Sequence, residues 1–387
     1  MKLDIFSEIQ DPKPWTPDHQ HLRMTQALEQ AELADALGYG CWWQVEHHGA
    51  QEFSLSSAPE LFLAALSQRT ARIRLGHAAV LAPPQINHPI RVAERAAVLD
   101  HLSGGRVELG LTRSTAPEWR LFGVDPETVR ERVAEVFETV PRVWGGDLAV
   151  TGGVPVVPSP LQDPHPPLWQ AASTPGSFEE AGRRGVGVLG TTLWEPLERV
   201  GRLVELYRAA AAECRTPAGA FVNDQIAFFT FVHCAETDEQ AMRDGAAAAA
   251  AWYTARALTF FEAADAFLEN MNREKELMAA PDGGGRAGAF LRAEAGAPAG
   301  PNAAQLAIGR ILQGETVPEE ELFEALSEQG SLIVGSPETV RKKIRAYADL
   351  GIDRLMCFQQ VGGLSHESVM RSIELVGGLI PEFDLAE

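Results

Sequence analysis

The chain has no cysteine spacing suited to a metal or a disulfide framework. Its four cysteines, Cys41, Cys214, Cys234 and Cys357, lie far apart and mostly inside apolar runs. That spacing argues against a zinc site and a secreted disulfide scaffold, and it suits small core hydrophobes. No metal site is expected. Positive charge is also scarce: 33 Lys and Arg stand against 53 Asp and Glu, a net charge of −20. Such a surface repels nucleic acid and anionic lipid, so neither is an expected partner. No stretch approaches the roughly 18 apolar residues of a membrane span, and Asp4 breaks any apolar leader at the start. A soluble cytoplasmic protein is the expectation. Chemical signatures are missing too. There is no Gly-x-Gly-x-x-Gly after a strand, no Walker-type loop, no His-Glu-x-x-His and no Gly-x-Ser-x-Gly. Nicotinamide-fold, NTPase, zincin and serine-hydrolase readings lose their main support.

What the chain has is length and rhythm. Its 387 residues, 45% of them hydrophobic, suffice for a core that needs no staple. Short β-like runs fall at 3–7, 40–45, 73–81, 107–111, 168–171, 187–189, 227–234 and 354–358. Several are apolar without strict alternation, as in strands covered on both faces. Helical patterns occupy 21–38, closed by Gly38, and 58–69, 90–103, 127–144, 196–213 and 338–350. About eight β-α units predict an α/β fold, a closed (β/α)8 TIM barrel with insertions, as one domain over 1–387. An open doubly wound sheet is the competitor. Residues 145–166, rich in Gly and Pro, read as a long loop or a small hairpin. Residues 237–330 are too long for one crossover and read as an insertion. It holds an Ala-rich helix at 246–251 and a Gly/Ala/Pro-rich segment at 279–301, either an active-site lid or disordered.

Three segments carry candidate chemistry. At 42–48, Trp-Trp-Gln-Val-Glu-His-His, an apolar strand ends in a carboxylate and two imidazoles. In a parallel barrel that strand end faces the side where active sites are built. Extended geometry turns His47 away from Glu46 and His48. This disfavours a mononuclear metal and suits one histidine as general base with the others orienting it. Glu46, His47 and His48 are the catalytic candidates, and a polar strand end with capped histidines is the plain alternative. At 171–180 a strand ends in hydroxyls and a helix opens. Thr174 suits the N-cap and Pro175 the first helical position. Ser173, Thr174 and Ser177 beside exposed N–H groups make a phosphate site or an ordinary cap. In 99–113, Gly104 and Gly105 end a helix, Asp100 and Arg106 are placed to pair across the turn, and Thr112 and Arg113 finish a strand. Arg113 is a candidate anion clamp, with Arg130 and Arg132 in the next helix. A solvated surface charge is the alternative for each.

Several short pieces fall in one order: Glu-His-His at 46–48, Arg-Ile-Arg-Leu-Gly at 72–76 and His-Pro-Ile-Arg-Val-Ala-Glu at 88–94. Leu-Asp-His-Leu-Ser-Gly-Gly-Arg at 99–106 and Pro-His-Pro-Pro-Leu-Trp at 164–169 follow. Gly-Ser-Pro-Glu-Thr-Val at 335–340 and Gln-Val-Gly-Gly-Leu at 360–364 close the set. Together they resemble the bacterial luciferase-like family of flavin-dependent monooxygenases, over nearly the whole chain except about 240–330. The resemblance implies a β-α barrel using reduced FMN supplied by a separate flavin reductase. The flavin peroxide formed with dioxygen then oxygenates a small organic substrate. It also implies a homodimer. Carried over residue by residue, His47 is the catalytic histidine and Glu46 lies near the isoalloxazine. Ala78 and Ala79 are the small residues under the ring, and Arg113 and Arg130 the phosphate-side arginines. Ala172, Ser173, Thr174 and Ser177 fall in the phosphate-binding turn. Thr112 stands where light-emitting luciferases carry Cys, which speaks against light emission and long-chain aldehydes rather than flavin binding. Trp42, Trp43 and 279–301 are expected to keep water out. Two other readings stay open: deazaflavin-dependent hydride transfer on the same barrel, and a non-catalytic flavin-binding subunit.

Overall fold

Nine strands organise the chain in the computed structural model, which describes residues 1–193, 196–279, 301–327, 330 and 332–384. They are β1 Lys2–Ser7, β2 Cys41–Gln44, β3 Arg74–Leu81, β4 Val107–Thr112, β5 Leu168–Ala171, β6 Gly187–Thr191, β7 Ile226–Cys234, β8 Leu332–Gly335 and β9 Arg354–Phe358. All pairings are parallel. β1 to β6 follow one another round the sheet, β9 sits between β7 and β1, and β6 pairs with β7. That last pairing closes an eight-stranded barrel and decides against an open sheet. The eight runs read from the sequence are its eight staves. β8 was not foreseen, and it pairs with the end of β7, Phe231 to Cys234, outside the ring.

Local chemistry sets the helices that connect the staves. Pro59, Pro89, Pro175 and Pro337 each open a helix, where a missing N–H costs nothing. Gly104 closes the helix Pro89–Ser103 in the left-handed conformation. The expected Asp100–Arg106 pair does not form. Asp100 instead accepts the backbone and side-chain N–H groups of Gln162. Arg106 donates instead to the carbonyls of Ser67, Thr70 and Ile73, three acceptors that meet more of its planar five-donor fork than one carboxylate would. Residues 145–166 form a 3-10 turn, Leu148–Thr151, and irregular chain rather than a hairpin. No described helix is long and apolar enough to cross a membrane.

Between β7 and β8 run the helices Asp238–Arg243, Ala246–Phe260, Ala264–Ala279, Ala303–Leu312 and Glu319–Ser327. The Glu319 carboxylate accepts the N–H groups of Ala247 and Ala248, two donors otherwise unmet at a helix start. Thus the second half of the insertion holds the first. Of the Gly/Ala/Pro-rich segment 279–301, residues 280–300 lie outside the described residues.

Alternation along the staves sorts the barrel interior. At its N-terminal end Asp4 accepts the Trp43 indole N–H at 2.8 Å and faces Arg354 at 3.1 Å. Glu108 accepts the Trp169 indole N–H at 2.7 Å and pairs with Arg74. The two indoles meet edge to face, 5.2 Å apart. They fit because their neighbouring strands carry glycine there. A Cβ on Gly76 would stand 2.2 Å from Trp43, and one on Gly187 2.4 Å from Trp169. Trp43 is therefore part of a plug at the barrel base, and Trp42 packs on Phe62 of the helix Pro59–Ser67. Neither seals the cavity above, contrary to the sequence expectation, because the interior period of two places Trp43 below it. Gly76→Ala should destabilise the protein by about 2 kcal/mol or more through overpacking, seen as a lower thermal midpoint. Gly363→Ala, which meets nothing within 4 Å, should stay within about 0.5 kcal/mol. An unchanged midpoint for Gly76→Ala would contradict this packing.

Candidate active site

Above the indole plug, the C-terminal ends of the staves enclose a cavity of about 500 Å³. Glu46, His47, Ala78, Ala79 and Thr112 line it, as do Arg113, Ala172, Ser173 and Ser177. Thr174 and Arg130 lie in an adjoining cleft of about 350 Å³ that shares Thr112, Arg113 and Ser177 with it. His48 lines neither. Its ring bonds to Glu46 and packs edge-on against Phe122, 4.9 Å away.

The tripeptide after β2 divides its labour. Glu46 is buried, and its carboxylate accepts from the Leu81 N–H at 3.0 Å, the Asn87 amide at 2.8 Å and the His48 ring at 3.1 Å. Those bonds fix the end of β3, next to the Ala78–Ala79 peptide, which is cis. His47 points the other way, and its Nδ1 donates to Glu118 at 3.1 Å. Burial works against a charge on this ring. The hydrogen bond and charge of Glu118, then Glu8 and Glu46, outweigh it and lift the His47 pKa above the ordinary imidazole value. Rings of Phe53, Phe260 and Phe261 surround His47 at 5.5, 5.4 and 6.0 Å. These phenylalanines, two of them from the insertion, take the water-excluding place expected of the tryptophans.

Glu118 was missed in the sequence. It lies in the first turn of the short helix Ala116–Phe122 and is completely buried. Its carboxylate accepts from the His47 ring, the His48 N–H, the Thr115 N–H and the hydroxyls of Ser114 and Thr115. Burial pushes its pKa up, but these donors and the His47 charge prevail and hold it below the usual carboxylate range. Glu8 and Tyr253 were missed as well. Both line the cavity, and burial pushes the Glu8 carboxyl up to about 7.

The other rim is cationic. Thr174 caps the helix Pro175–Arg184 by accepting the Ser177 N–H. Ser177 Oγ donates to the Thr174 carbonyl and accepts the N–H groups of Ser173 and Thr174. The turn is therefore held by its own hydrogen bonds. Arg113 and Arg130 are exposed, and neither guanidinium has a protein partner among the described residues. Arg132 differs: it pairs with Glu135 at 3.0 Å, away from the site. Two unpaired guanidinium groups beside a hydroxyl-rich helix start can receive an anion.

Residues 1–354 match the model of a family described as luciferase-like monooxygenase. The flavin-dependent trigonelline monooxygenase, oxygenase component, of Acinetobacter baylyi is 34% identical over 192 residues, 47% of this chain and 52% of that protein. Limonene 1,2-monooxygenase of Rhodococcus erythropolis is 30% identical over 240 residues, 60% of this chain and 61% of that protein. The matches thus span only about half to three-fifths of those relatives' lengths. The crystal structure of monooxygenase RslO1 from Streptomyces bottropensis superposes with a TM-score of 0.69 at 25% identity, covering 99% of this chain and 100% of that one. A family match over most of the chain, on a closed parallel barrel with its pocket at the strand C-termini, leaves one assignment: the chain belongs to the luciferase-like monooxygenase family.

Proposed function

We propose that the protein is the oxygenase component of a two-component flavin-dependent monooxygenase. It takes reduced FMN from a separate flavin reductase and inserts one oxygen atom of dioxygen into a small organic substrate, as a homodimer. The observation that carries this reading is the rim formed by Arg113, Arg130 and the Ser173–Ser177 turn. A protein of net charge −20 keeps there, beside a capped helix start, two guanidinium groups without an ion-pair partner among the described residues, where a phosphate monoester is the fitting ligand.

The cavity residues fit a flavin on their own terms. Next to the cationic rim lie Ala78, Ala79, Ala171, Ala172 and Gly190, side chains small enough to leave a flat slot. Arg113 and Arg130 would hold the phosphate, and the small residues would face the ring. Reduced FMN, when bound, supplies the electrons that activate dioxygen. His47 holds a proton beside this slot. Glu118 takes its Nδ1–H, so Nε2 is the atom left to exchange a proton with a reacting group. Phe53, Phe260 and Phe261 keep the imidazole dry, which favours oxygenation over loss of the activated oxygen to water.

Three outcomes follow. Arg113→Ala combined with Arg130→Ala should weaken FMN binding at least tenfold, as lost charge-assisted hydrogen bonds predict. It should leave riboflavin, which lacks the phosphate, unchanged. Equal losses for both ligands in a fluorescence titration would count against the phosphate rim. His47→Ala should keep FMN affinity while oxygen uptake with reduced FMN ends as hydrogen peroxide instead of product. Unchanged product yield would sink the His47 assignment, and turnover with a reduced deazaflavin without oxygen would replace FMN as the cofactor. Glu118→Gln removes the charge that stabilises the imidazolium, so the His47 midpoint in an NMR titration should fall. Any limb of the activity profile that declines as pH rises through that midpoint should move to lower pH. A midpoint that stays put would show that Glu118 does not tune His47.

A further inference from the structure

Two buried carboxyl groups, Glu46 and Glu8, line the cavity, and a third, Glu118, lies behind His47; two of the three are fully engaged. Glu46 and Glu118 each accept several N–H or O–H groups from the protein. Glu8 is different. It is 3% exposed, lies two residues beyond Phe6 on the inward face of the β1 run, and borders the cavity. Its Oε1 accepts the Tyr253 hydroxyl at 3.0 Å. Its Oε2 has one long contact, from the Gln10 amide at 3.4 Å. No Lys, Arg or His forms an ion pair with it among the described residues; His47 acts on it only through space. Apolar side chains make up much of the rest of the lining. Phe6 and Phe229 stack at 4.2 Å, and Leu258 and Met356 complete the surface.

A buried carboxyl with spare hydrogen-bonding capacity costs stability that an apolar residue of similar size would not. Glu8 lines the cavity, so this spare capacity adjoins space into which a ligand fits. Burial also keeps the proton on Glu8 until about neutral pH, so it offers an O–H donor inside an apolar chamber.

We propose that Glu8 determines substrate specificity: its carboxyl receives the single oxygen function, hydroxyl or carbonyl, of a compact and otherwise apolar substrate, and Tyr253 positions that carboxyl. This rests on reading the cavity as the monooxygenase's substrate pocket. A carboxylate-bearing substrate is disfavoured at this point, because Glu8 would bring a second acid against it.

The test uses shape-matched probes. Calorimetric titration at pH 6 compares p-cresol with p-xylene on the wild type, Glu8→Gln and Glu8→Leu, with FMN affinity measured in parallel. The wild type should prefer p-cresol by about tenfold, the value of one well-placed hydrogen bond to a buried carboxyl. Glu8→Gln should keep most of that preference, and Glu8→Leu should abolish it without weakening p-xylene. p-Tolualdehyde only accepts hydrogen bonds. Its affinity for the wild type should therefore drop several-fold between pH 6 and pH 8 as Glu8 ionises, and should stay level in Glu8→Gln. A wild type with no preference, or one that binds neither probe, overturns the proposal. So does a Glu8→Leu variant that weakens both probes alike. FMN binding without the preference refutes the Glu8 assignment alone, whereas the preference without FMN binding refutes the flavin reading alone.

Discussion

One buried carboxylate holds the candidate site together. Glu118 takes hydrogen bonds from the His47 ring and the His48 N–H, 71 and 70 residues away in the chain, and from Ser114 and Thr115 beside it. It therefore ties the end of β2 to the turn after β4 and fixes the imidazole's orientation. Removing one partner from such a buried pair typically costs 3–5 kcal/mol, so the histidine's position and charge depend on a residue that need not touch substrate. Glu46 does the same for β3. With both acids spent on structure, His47 and Glu8 are left as groups of the cavity with protons to give or take.

The barrel separates stability from chemistry along its axis, as parallel barrels do. At the base, Asp4, Arg354, Glu108 and Arg74 are paired, and two indoles fill the bore. Every charge there has a partner. At the opposite end polar groups are left open: the guanidinium groups of Arg113 and Arg130 toward solvent, and the Glu8 carboxyl at the cavity. The insertion after β7 supplies the roof. Its helix Ala246–Phe260 buries alanines on one side and delivers Tyr253, Thr254, Ala257 and Leu258 to the cavity on the other.

Much of this was legible in the sequence because it is local. Apolar runs marked all eight staves, and Thr174-Pro175 marked a helix start that forms with the expected cap. Glu46 and His47 were visible as charges at the end of an apolar strand. What escaped is what only the closed barrel brings together. β8 has four residues and extends the end of β7, so it carries no β-α rhythm. Glu118 reads as an ordinary acid in a first helical turn, and nothing nearby links it to His47. Glu8 had a faint signal: Asp4, Phe6 and Glu8 share one face, and Asp4 already breaks an apolar strand. Trp42 and Trp43 do not reach the cavity: adjacent side chains on a strand leave in opposite directions, so Trp42 packs outward on Phe62 and Trp43 fills the barrel base.

The central claim is that one barrel mouth combines a phosphate rim, a flat slot of small residues and a proton-holding histidine. The most direct test is a crystal structure of the protein soaked with FMN. The account predicts the phosphate between Arg113, Arg130 and the Ser173–Ser177 turn, with the ring against Ala78 and Ala79 and within reach of His47. An FMN phosphate held elsewhere, or a ring lying outside the barrel mouth, would contradict it.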